Sequence, residues 1–308
     1  MKGTNNLDSH LSGAGNDRMI EGLNSGLRWI SASDGARIPY AVDGPGDKVL
    51  LLLHGGSGSY RDFEHLVPLL VRAGLQVVRP ELRPHALTEI PLGADISHAR
   101  IARDLKEILD ALGVQTAHVA GWSHGGCVAL QFAHDFSHAT RTLGVFNGFA
   151  FFDHGGWFKA LRFKVRSAWL ALRAPRSPVI RERNARELLH MMMLGDAAQQ
   201  ASPEACRLYE EAAIGNMFGP QARLVRRSMA NTLRFDARSW LASMTMPALV
   251  VTGTRDHVPT AFSDALAHML PDAELARWPD GDHGILLADP EGFAARYLRF
   301  IAEHGGRP

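Results

Sequence analysis

One short stretch constrains the fold of this 308-residue chain more than any other. Residues 121–126 read Gly-Trp-Ser-His-Gly-Gly, and they lie between an apolar, strand-like run at 117–120 and a helix-like run at 127–133. A G-x-S-x-G pattern at a strand-to-helix junction is typical of a strained turn that lifts the serine hydroxyl clear of the backbone. The flanking glycines tolerate the close approach and the unusual dihedral angles of such a turn. The sequence therefore predicts a nucleophile elbow with Ser123 at its tip.

Strand-like and helix-like patterns alternate on both sides of this turn. Residues 49–53 read Val-Leu-Leu-Leu-Leu, which is typical of a strand buried on both faces of a parallel sheet. Strands are predicted at residues 27–32, 37–42, 49–53, 75–79, 117–120, 141–146, 247–252 and 274–278. Helices are predicted at residues 61–72, 96–112, 127–133, 187–194, 220–233, 260–270 and 290–302. This alternation predicts an α/β fold with a mostly parallel sheet and right-handed crossovers.

The strand pattern is interrupted once, between residues 153 and 235. No segment there resembles a sheet-core strand, and several resemble helices, before the strand pattern resumes at 247. We therefore expect a core domain built from residues 25–152 and 236–305, with a helical cap inserted at 153–235. Residues 1–24 are rich in Gly, Asn, Ser and Asp, and we expect a disordered N-terminal tail there.

A serine hydroxyl needs a general base, usually a histidine that a carboxylate orients. Asp256 lies in a Gly-x-x-Asp-x-x-Pro segment that directly follows the apolar run at 247–252, and His283 follows the strand predicted at 274–278. Both residues therefore belong at the carboxyl edge of the sheet, where open α/β sheets bind their ligands. Asp256 could instead cap the next helix. The chain order Ser, Asp, His favours catalysis by Ser123, Asp256 and His283.

With these motifs in place, the chain resembles the α/β-hydrolase-fold family with a helical cap, over about residues 27–302. The resemblance rests on His-Gly-Gly at 54–56, the elbow at 121–125, Gly-x-x-Asp-x-x-Pro at 253–259 and Gly-Asp-His-Gly at 281–284. It implies an eight-stranded, mostly parallel sheet flanked by helices, with the cap inserted after strand 6. It also implies that the backbone N–H groups of Gly56 and His124 form the oxyanion hole, with Ser57 as a second candidate for the loop donor.

One loop departs from the family pattern. The loop after the fourth strand usually reads Asp-x-Arg-Gly-His-Gly in these proteins, whereas residues 81–86 here read Glu-Leu-Arg-Pro-His-Ala. Because both glycines are missing, we expect an altered loop path that reshapes the pocket wall.

Several side chains are candidates for binding substrate, with core packing or a solvated helix face as the alternative. Ser57, Trp122, Phe149 and Trp157 are predicted to bind substrate. Phe149, Trp157 and the Met-Met-Met run at 191–193 could line an apolar acyl pocket. The insertion also carries a basic cluster that could bind the phosphates of coenzyme A or of an acyl carrier protein, or a substrate carboxylate. The cluster consists of Lys159, Arg162, Lys164, Arg166, Arg173, Arg176, Arg181, Arg183 and Arg186.

Composition removes other classes of protein. A formal net charge of +1 gives no reason to expect nucleic acid as a partner, and no run is long and apolar enough to predict a membrane span. Two cysteines exclude a disulfide scaffold and favour a reducing compartment. Without an apolar signal segment near the start, we expect a cytoplasmic protein that needs no metal or organic cofactor. The oligomeric state is left open.

The sequence thus predicts a serine hydrolase that cleaves a hydrophobic ester, lactone or thioester through an acyl-enzyme. The first alternative is a cofactor-independent dioxygenase of N-heteroaromatic substrates, because similar Ser-His-Gly-Gly elbows occur in such enzymes of the same fold. The second is a ligand-binding relative without useful turnover, and the third is an acyltransferase with an acceptor other than water.

Overall fold

The predicted strands form one sheet in the computed structural model, which describes residues 27–152 and 178–306. The predicted tail and residues 153–177 of the predicted cap lie outside the described residues. The strands are β1 (Arg28–Ser31), β2 (Arg37–Asp43), β3 (Lys48–Leu53), β4 (Leu75–Pro80), β5 (Ala117–Trp122), β6 (Thr140–Phe146), β7 (Ala248–Gly253) and β8 (Ala273–Trp278). Their spatial order is β1-β2-β4-β3-β5-β6-β7-β8, and β2 runs antiparallel to both of its neighbours while the remaining pairs are parallel. The expected eight-stranded, mostly parallel sheet is confirmed.

The central strands position the site. In β3, Leu50–Leu53 are almost fully buried because helices cover both faces of the sheet, as the unbroken apolar run predicted. β3 pairs in parallel with β5, and the register places Leu53 opposite Gly121. The loop that begins at His54 and the turn at Ser123 therefore leave the sheet side by side, at its carboxyl edge.

Helices cover the two faces of the sheet. They are α1 (Val67–Arg72), α2 (His98–Ala111), α3 (His124–Asp135), α4 (Pro178–Met192), α5 (Asp196–Ala201), α6 (Pro203–Phe218), α7 (Ala222–Thr232), α8 (Thr260–Met269), α9 (Ile285–Ala288) and α10 (Pro290–His304). α2 and α3 pack together in one apolar cluster, and α1 and α10 pack together in the other. In α2, Ile101, Leu105 and Ile108 are buried at the helical spacing that the sequence shows.

The predicted helix at 61–72 is two separate elements. A 3-10 turn covers Tyr60–Phe63, and α1 begins only at Val67. Pro68 explains the break, because proline has no N–H to donate and its ring clashes with the carbonyl four residues earlier, so it fits only in the first turn of a helix.

The segment between β6 and β7 adds no strand to the sheet among its described residues. α4 and α7 correspond to the helices predicted at 187–194 and 220–233, and α5 and α6 lie between them. The buried face of α6 includes Cys206, Tyr209 and Ala213, which join the apolar cluster that contains Trp122 of β5. This packing holds α6 over the sheet edge where the site lies. Among the described residues, no helix combines the length and the apolar content that a membrane crossing requires.

Candidate active site

Ser123 lies at a strained turn between β5 and α3. Its backbone has φ 55° and ψ −114°, a left-handed φ that is unusual for a residue with a side chain. A methyl group on Gly121 would overlap the carbonyl of Gly125, and one on Gly125 would overlap the carbonyl of Leu53. The two glycines therefore permit the close approach of strand, turn and loop that the motif predicted.

Asp256 and His283 form a buried hydrogen-bonded pair at the same edge. His283 Nδ1 lies 2.9 Å from Oδ1 and 3.0 Å from Oδ2 of Asp256. The carboxylate also accepts hydrogen bonds from Asn147 Nδ2 at 2.6 Å and from the Val258 N–H at 2.8 Å. Burial by itself raises the pKa of Asp256, but the bonds from His283 and Asn147 outweigh burial and lower that pKa. The pair therefore joins an ionised carboxylate to the Nδ1 atom of the histidine.

The sequence reasoning missed Asn147. This residue directly follows β6, with φ 49°, and its amide lies between Asp256 and the carbonyl of Asp282. Its position after a central strand, together with the tolerance of asparagine for left-handed backbone, was the available signal.

Trp122 supports His283 from the strand that precedes the elbow. Its indole Nε1 donates to the His283 carbonyl at 3.0 Å, and its ring is fully buried 5.3 Å from the ring of Tyr209. Because the only polar atom of the indole is occupied, Trp122 fixes the backbone of His283. The prediction that Trp122 binds substrate receives no support from this placement.

The loop after β3 has its peptide groups oriented by two buried histidines. His54 Nδ1 lies 2.8 Å from the Gly55 carbonyl, and its Nε2 accepts the Leu82 N–H at 2.9 Å. In a trans peptide the C=O and N–H bonds point in opposite directions, so this contact turns the Gly56 N–H away from His54. A methyl group on Gly56 would lie 3.3 Å from His124 Cβ. The two predicted oxyanion donors are therefore neighbours.

The second histidine is His85, whose Nε2 lies 2.8 Å from the Gly56 carbonyl. Its Nδ1 lies 2.8 Å from the Leu82 carbonyl, so both nitrogens face backbone oxygens. Burial and the neighbouring His54 lower the pKa of His85 to about 3. His85 belongs to the loop that departs from the family pattern, and sequence reasoning gave it no role.

The side chain of His124 points away from solvent. Its Nδ1 lies 2.6 Å from Thr232 Oγ1 on α7, and its ring lies 5.3 Å from that of His98 and 5.8 Å from that of His85. Burial and these neighbouring histidines lower the pKa of His124 well below its ordinary value. Its Nε2 is buried and has no hydrogen-bond partner within residues 27–152 and 178–306. His124 is therefore neutral, and it connects the elbow to the helices inserted after β6.

Two other side chains that were predicted to bind substrate contact other residues of the protein. Ser57 Oγ lies 3.0 Å from the Tyr209 hydroxyl, and Phe149 is buried in the core against Phe152 and Phe262. Met191 is exposed to solvent. Trp157 lies outside the described residues. The contacts of Phe149 favour the core-packing alternative, because its ring meets two other phenylalanines.

The departing loop, residues 81–86, is tied to the helices inserted after β6. The Ala86 N–H donates to Asn216 Oδ1 of α6 at 2.8 Å, and the Asn216 amide donates to the Gly58 carbonyl at 2.8 Å. Arg83 is buried in ion pairs with Asp34 and Asp104. Asn216 therefore bridges this loop and the loop after β3, a role that the sequence did not indicate.

The described part of the basic cluster lies on α4. Arg186 pairs with Glu182 and Glu210, and Arg183 lies 3.8 Å from Glu187. These pairs favour the solvated-helix alternative for this part of the cluster. The lysines and arginines from 159 to 176 lie outside the described residues.

Comparison with known proteins identifies the family. A family model described as the alpha/beta hydrolase fold matches residues 48–290. The chain is similar to "Putative carbamate hydrolase RutD" of Azorhizobium caulinodans, with 29% identity over 277 residues that cover 87% of this chain and 96% of the relative. Esterase RhEst1 from Rhodococcus sp. ECU1013 has a TM-score of 0.74 at 23% identity, covering 91% of this chain and 99% of the esterase. The enol-lactonase from Burkholderia xenovorans LB400 has a TM-score of 0.73 at 18% identity, covering 89% and 100%. The chain belongs to the α/β hydrolase fold family, and it is a hydrolase.

Proposed function

We propose that this protein is a serine hydrolase that cleaves a carboxylic ester, lactone or thioester of a hydrophobic acyl group. The observation that carries the proposal is the Asp256–His283 pair, hydrogen-bonded at 2.9 Å at the sheet edge where the elbow presents Ser123. A carboxylate, an imidazole and an exposed serine hydroxyl are the three groups that acyl transfer through a covalent intermediate requires.

Each residue has one role in the proposed reaction. Ser123 Oγ attacks the carbonyl carbon while His283 Nε2 accepts the hydroxyl proton. Asp256 accepts the Nδ1–H of His283, which keeps the lone pair on Nε2 and stabilises the imidazolium that forms. The imidazolium then gives its proton to the leaving oxygen or sulfur as the tetrahedral intermediate collapses. Water, deprotonated by the same histidine, hydrolyses the acyl-enzyme and restores Ser123.

The oxyanion of each tetrahedral intermediate is assigned to the N–H groups of Gly56 and His124. His124 begins α3, so its N–H has no partner within the helix, and the positive end of the helix dipole lies beside it. The His54 contact to the Gly55 carbonyl orients the Gly56 N–H before substrate binds. Donors that are oriented in advance stabilise the transition state without reorganising during the reaction.

The names of similar proteins guide the choice of substrates to test. The names of similar proteins include carbamate hydrolase and enol-lactonase, so carbamates and lactones belong in the first substrate panel with p-nitrophenyl esters. Thioesters of coenzyme A complete the panel, because a thioester is one of the three acyl derivatives that we propose as substrates. We propose that the acyl group binds between the elbow and α6, which packs over the same edge of the sheet.

The test compares wild type with Ser123→Ala. We expect wild type to hydrolyse p-nitrophenyl esters of short and medium acyl length and to be labelled at Ser123 by a fluorophosphonate. Ser123→Ala should lose both properties while its circular dichroism spectrum stays unchanged. Turnover that survives in the variant contradicts the mechanism. Oxygen consumption with a hydroxyquinolone, in the absence of labelling, would instead identify the dioxygenase.

A further inference from the structure

One histidine outside the proposed Ser–Asp–His set contacts two members of it. His257 directly follows Asp256, and its ring centre lies 4.4 Å from that of His283. His257 Nδ1 lies 3.5 Å from Asp256 Oδ1, and the same oxygen lies 2.9 Å from His283 Nδ1. One potential ligand atom from each of the three residues lies within 4.8 Å of the other two. A single carboxylate oxygen therefore stands between two imidazole nitrogens.

This spacing fits a zinc ion. With zinc–ligand bonds of about 2.0–2.1 Å, two ligand atoms of a tetrahedral site lie about 3.3 Å apart. The separations of 2.9 Å and 3.5 Å fall on either side of that value. Two imidazoles and one carboxylate, with a water as fourth ligand, are a ligand set that zinc accepts in proteins. The side chain of His257 is 37% exposed, so an ion has a path from solvent to the buried pair.

We propose that Asp256, His257 and His283 form a zinc site, and that zinc bound there inhibits the reaction of Ser123. Zinc occupies the lone pair of His283 Nδ1, so the single proton of the neutral imidazole moves from Nδ1 to Nε2 through solvent. The ring keeps its net charge, but Nε2 now carries a hydrogen and cannot accept the Ser123 proton. Zinc thus holds His283 in the tautomer that Asp256 normally prevents. The inhibition depends on the function proposed above, whereas zinc binding itself does not.

The first experiment measures inhibition of the full-length enzyme. The protein is freed of metal by dialysis against a chelator, and p-nitrophenyl acetate turnover is followed while ZnCl2 is added. We expect wild type to lose activity and to recover it with EDTA, and MgCl2 to have no effect because magnesium prefers all-oxygen sites. His257→Ala should keep its turnover without zinc and need at least tenfold more zinc for half-inhibition. Equal zinc sensitivity in His257→Ala and wild type overturns the proposal.

Two control variants make this comparison specific. His268→Ala changes an exposed histidine of α8, and His304→Ala changes a histidine that clusters with Glu274 and Glu303, where β8 begins. Glu274 lies at the opposite edge of the sheet from Asp256. Both variants should be inhibited like wild type. Loss of inhibition in His304→Ala would move the zinc effect to that second cluster and overturn the proposal.

A second experiment measures zinc binding without turnover. Ser123→Ala should bind zinc like wild type when zinc is titrated against a chromogenic chelator, because Ser123 is not a ligand. The double variant Ser123→Ala/His257→Ala should bind at least tenfold more weakly. If Ser123→Ala binds zinc but wild type hydrolyses no ester, the proposed function fails and the metal site stands. If neither protein shows His257-dependent binding, the metal site fails whatever the activity.

Discussion

Two buried aspartates on opposite sides of the site lose their protons in different ranges of pH. Asp256 stands on the acid–base side, with His283 and Asn147, and its side chain is 1% exposed. Asp62 stands on the oxyanion side, under the loop after β3, and is also 1% exposed. Yet the pKa of Asp256 is lowered, whereas burial raises the pKa of Asp62 to about 7. Equal burial therefore does not decide the ionisation of a carboxyl group.

The difference lies in the donors around each carboxyl. Asp256 receives hydrogen bonds from His283, Asn147 and the Val258 N–H. Asp62 receives the Ser59 N–H on Oδ1, while its buried Oδ2 has no hydrogen-bond partner among the residues that the structure describes. Hydrogen bonds and a paired cation favour the ionised form, and an unpaired buried oxygen favours the neutral one. The acid–base side thus keeps a carboxylate for use with His283, whereas Asp62 on the oxyanion side holds its proton to a higher pH.

The largest effect is expected on the acid–base side. Asp256→Asn should reduce kcat for p-nitrophenyl acetate about 10⁴-fold, because an amide no longer selects the tautomer of His283 with a free Nε2. The matched control is Asp282→Asn, in which the amide oxygen can still accept the Gly284 N–H that Asp282 accepts now. A similar loss of kcat in both variants would contradict the assignment of Asp256.

On the oxyanion side, Gly56→Pro removes the N–H assigned to the intermediate. We expect kcat to fall about 10²- to 10³-fold, the cost of losing one such donor. Gly56→Ala, which keeps the N–H but places a methyl near His124 Cβ, serves as the control. If both variants lose activity equally, crowding rather than the missing donor explains the effect. Ser57 would then be the donor to test.

The contrast between the two aspartates predicts how stability depends on pH. Between about pH 4 and pH 7, folded Asp62 holds a proton that the unfolded chain has lost. As the pH rises through this range, Asp62 therefore lowers the free energy of unfolding by about 1.4 kcal/mol per pH unit. Asp256 acts in the opposite sense. Its stabilising contribution to the fold is present above about pH 4 and is lost as the pH falls through its lowered pKa.

Urea unfolding of wild type and Asp62→Asn between pH 4.5 and 7 isolates the Asp62 term. The variant should gain stability relative to wild type as the pH rises, because its side chain does not titrate. Subtracting the two curves removes the contribution of groups that do not interact with Asp62, and the difference that remains includes the effect of Asp62 on the pKa of His54. A constant difference across this range would show that folded Asp62 is ionised.

The smallest effect is expected for Thr232, the hydrogen-bond partner of His124 next to Ser123. His283 has a carboxylate partner, whereas His124 has only the Thr232 hydroxyl. Thr232→Val leaves His124 Nδ1 buried without a partner and should lower the free energy of unfolding by about 1–3 kcal/mol. Thr232→Ser retains the hydroxyl and should cost less than Thr232→Val in the same urea titration. If Thr232→Val, which keeps the threonine methyl, loses no stability, the hydrogen bond to His124 does not stabilise the fold.

Much of the fold followed from local patterns, and the errors have physical causes. The unbroken apolar run of β3 and the helical spacing of Ile101, Leu105 and Ile108 were sufficient because burial on one or two faces imposes those patterns directly. The prediction of a single helix at 61–72 was wrong, because it relied on the apolar spacing and gave no weight to Pro68. Phe149 was predicted as a pocket residue because an aromatic side chain near the elbow suits both core and pocket, and only its contacts with Phe152 and Phe262 decide between them.

By itself, the sequence determined the α/β sheet and the order in which Ser123, Asp256 and His283 follow their strands. Those features are local, because each residue is positioned by the strand that precedes it. Only the tertiary structure decided which side chains are hydrogen-bond partners. Asn147 and Asp256 are 109 residues apart in the chain, and His124 and Thr232 are 108 apart, yet their side-chain atoms meet at 2.6 Å. The protonation state of a buried group depends on such partners and on exclusion from water, which no single segment contains.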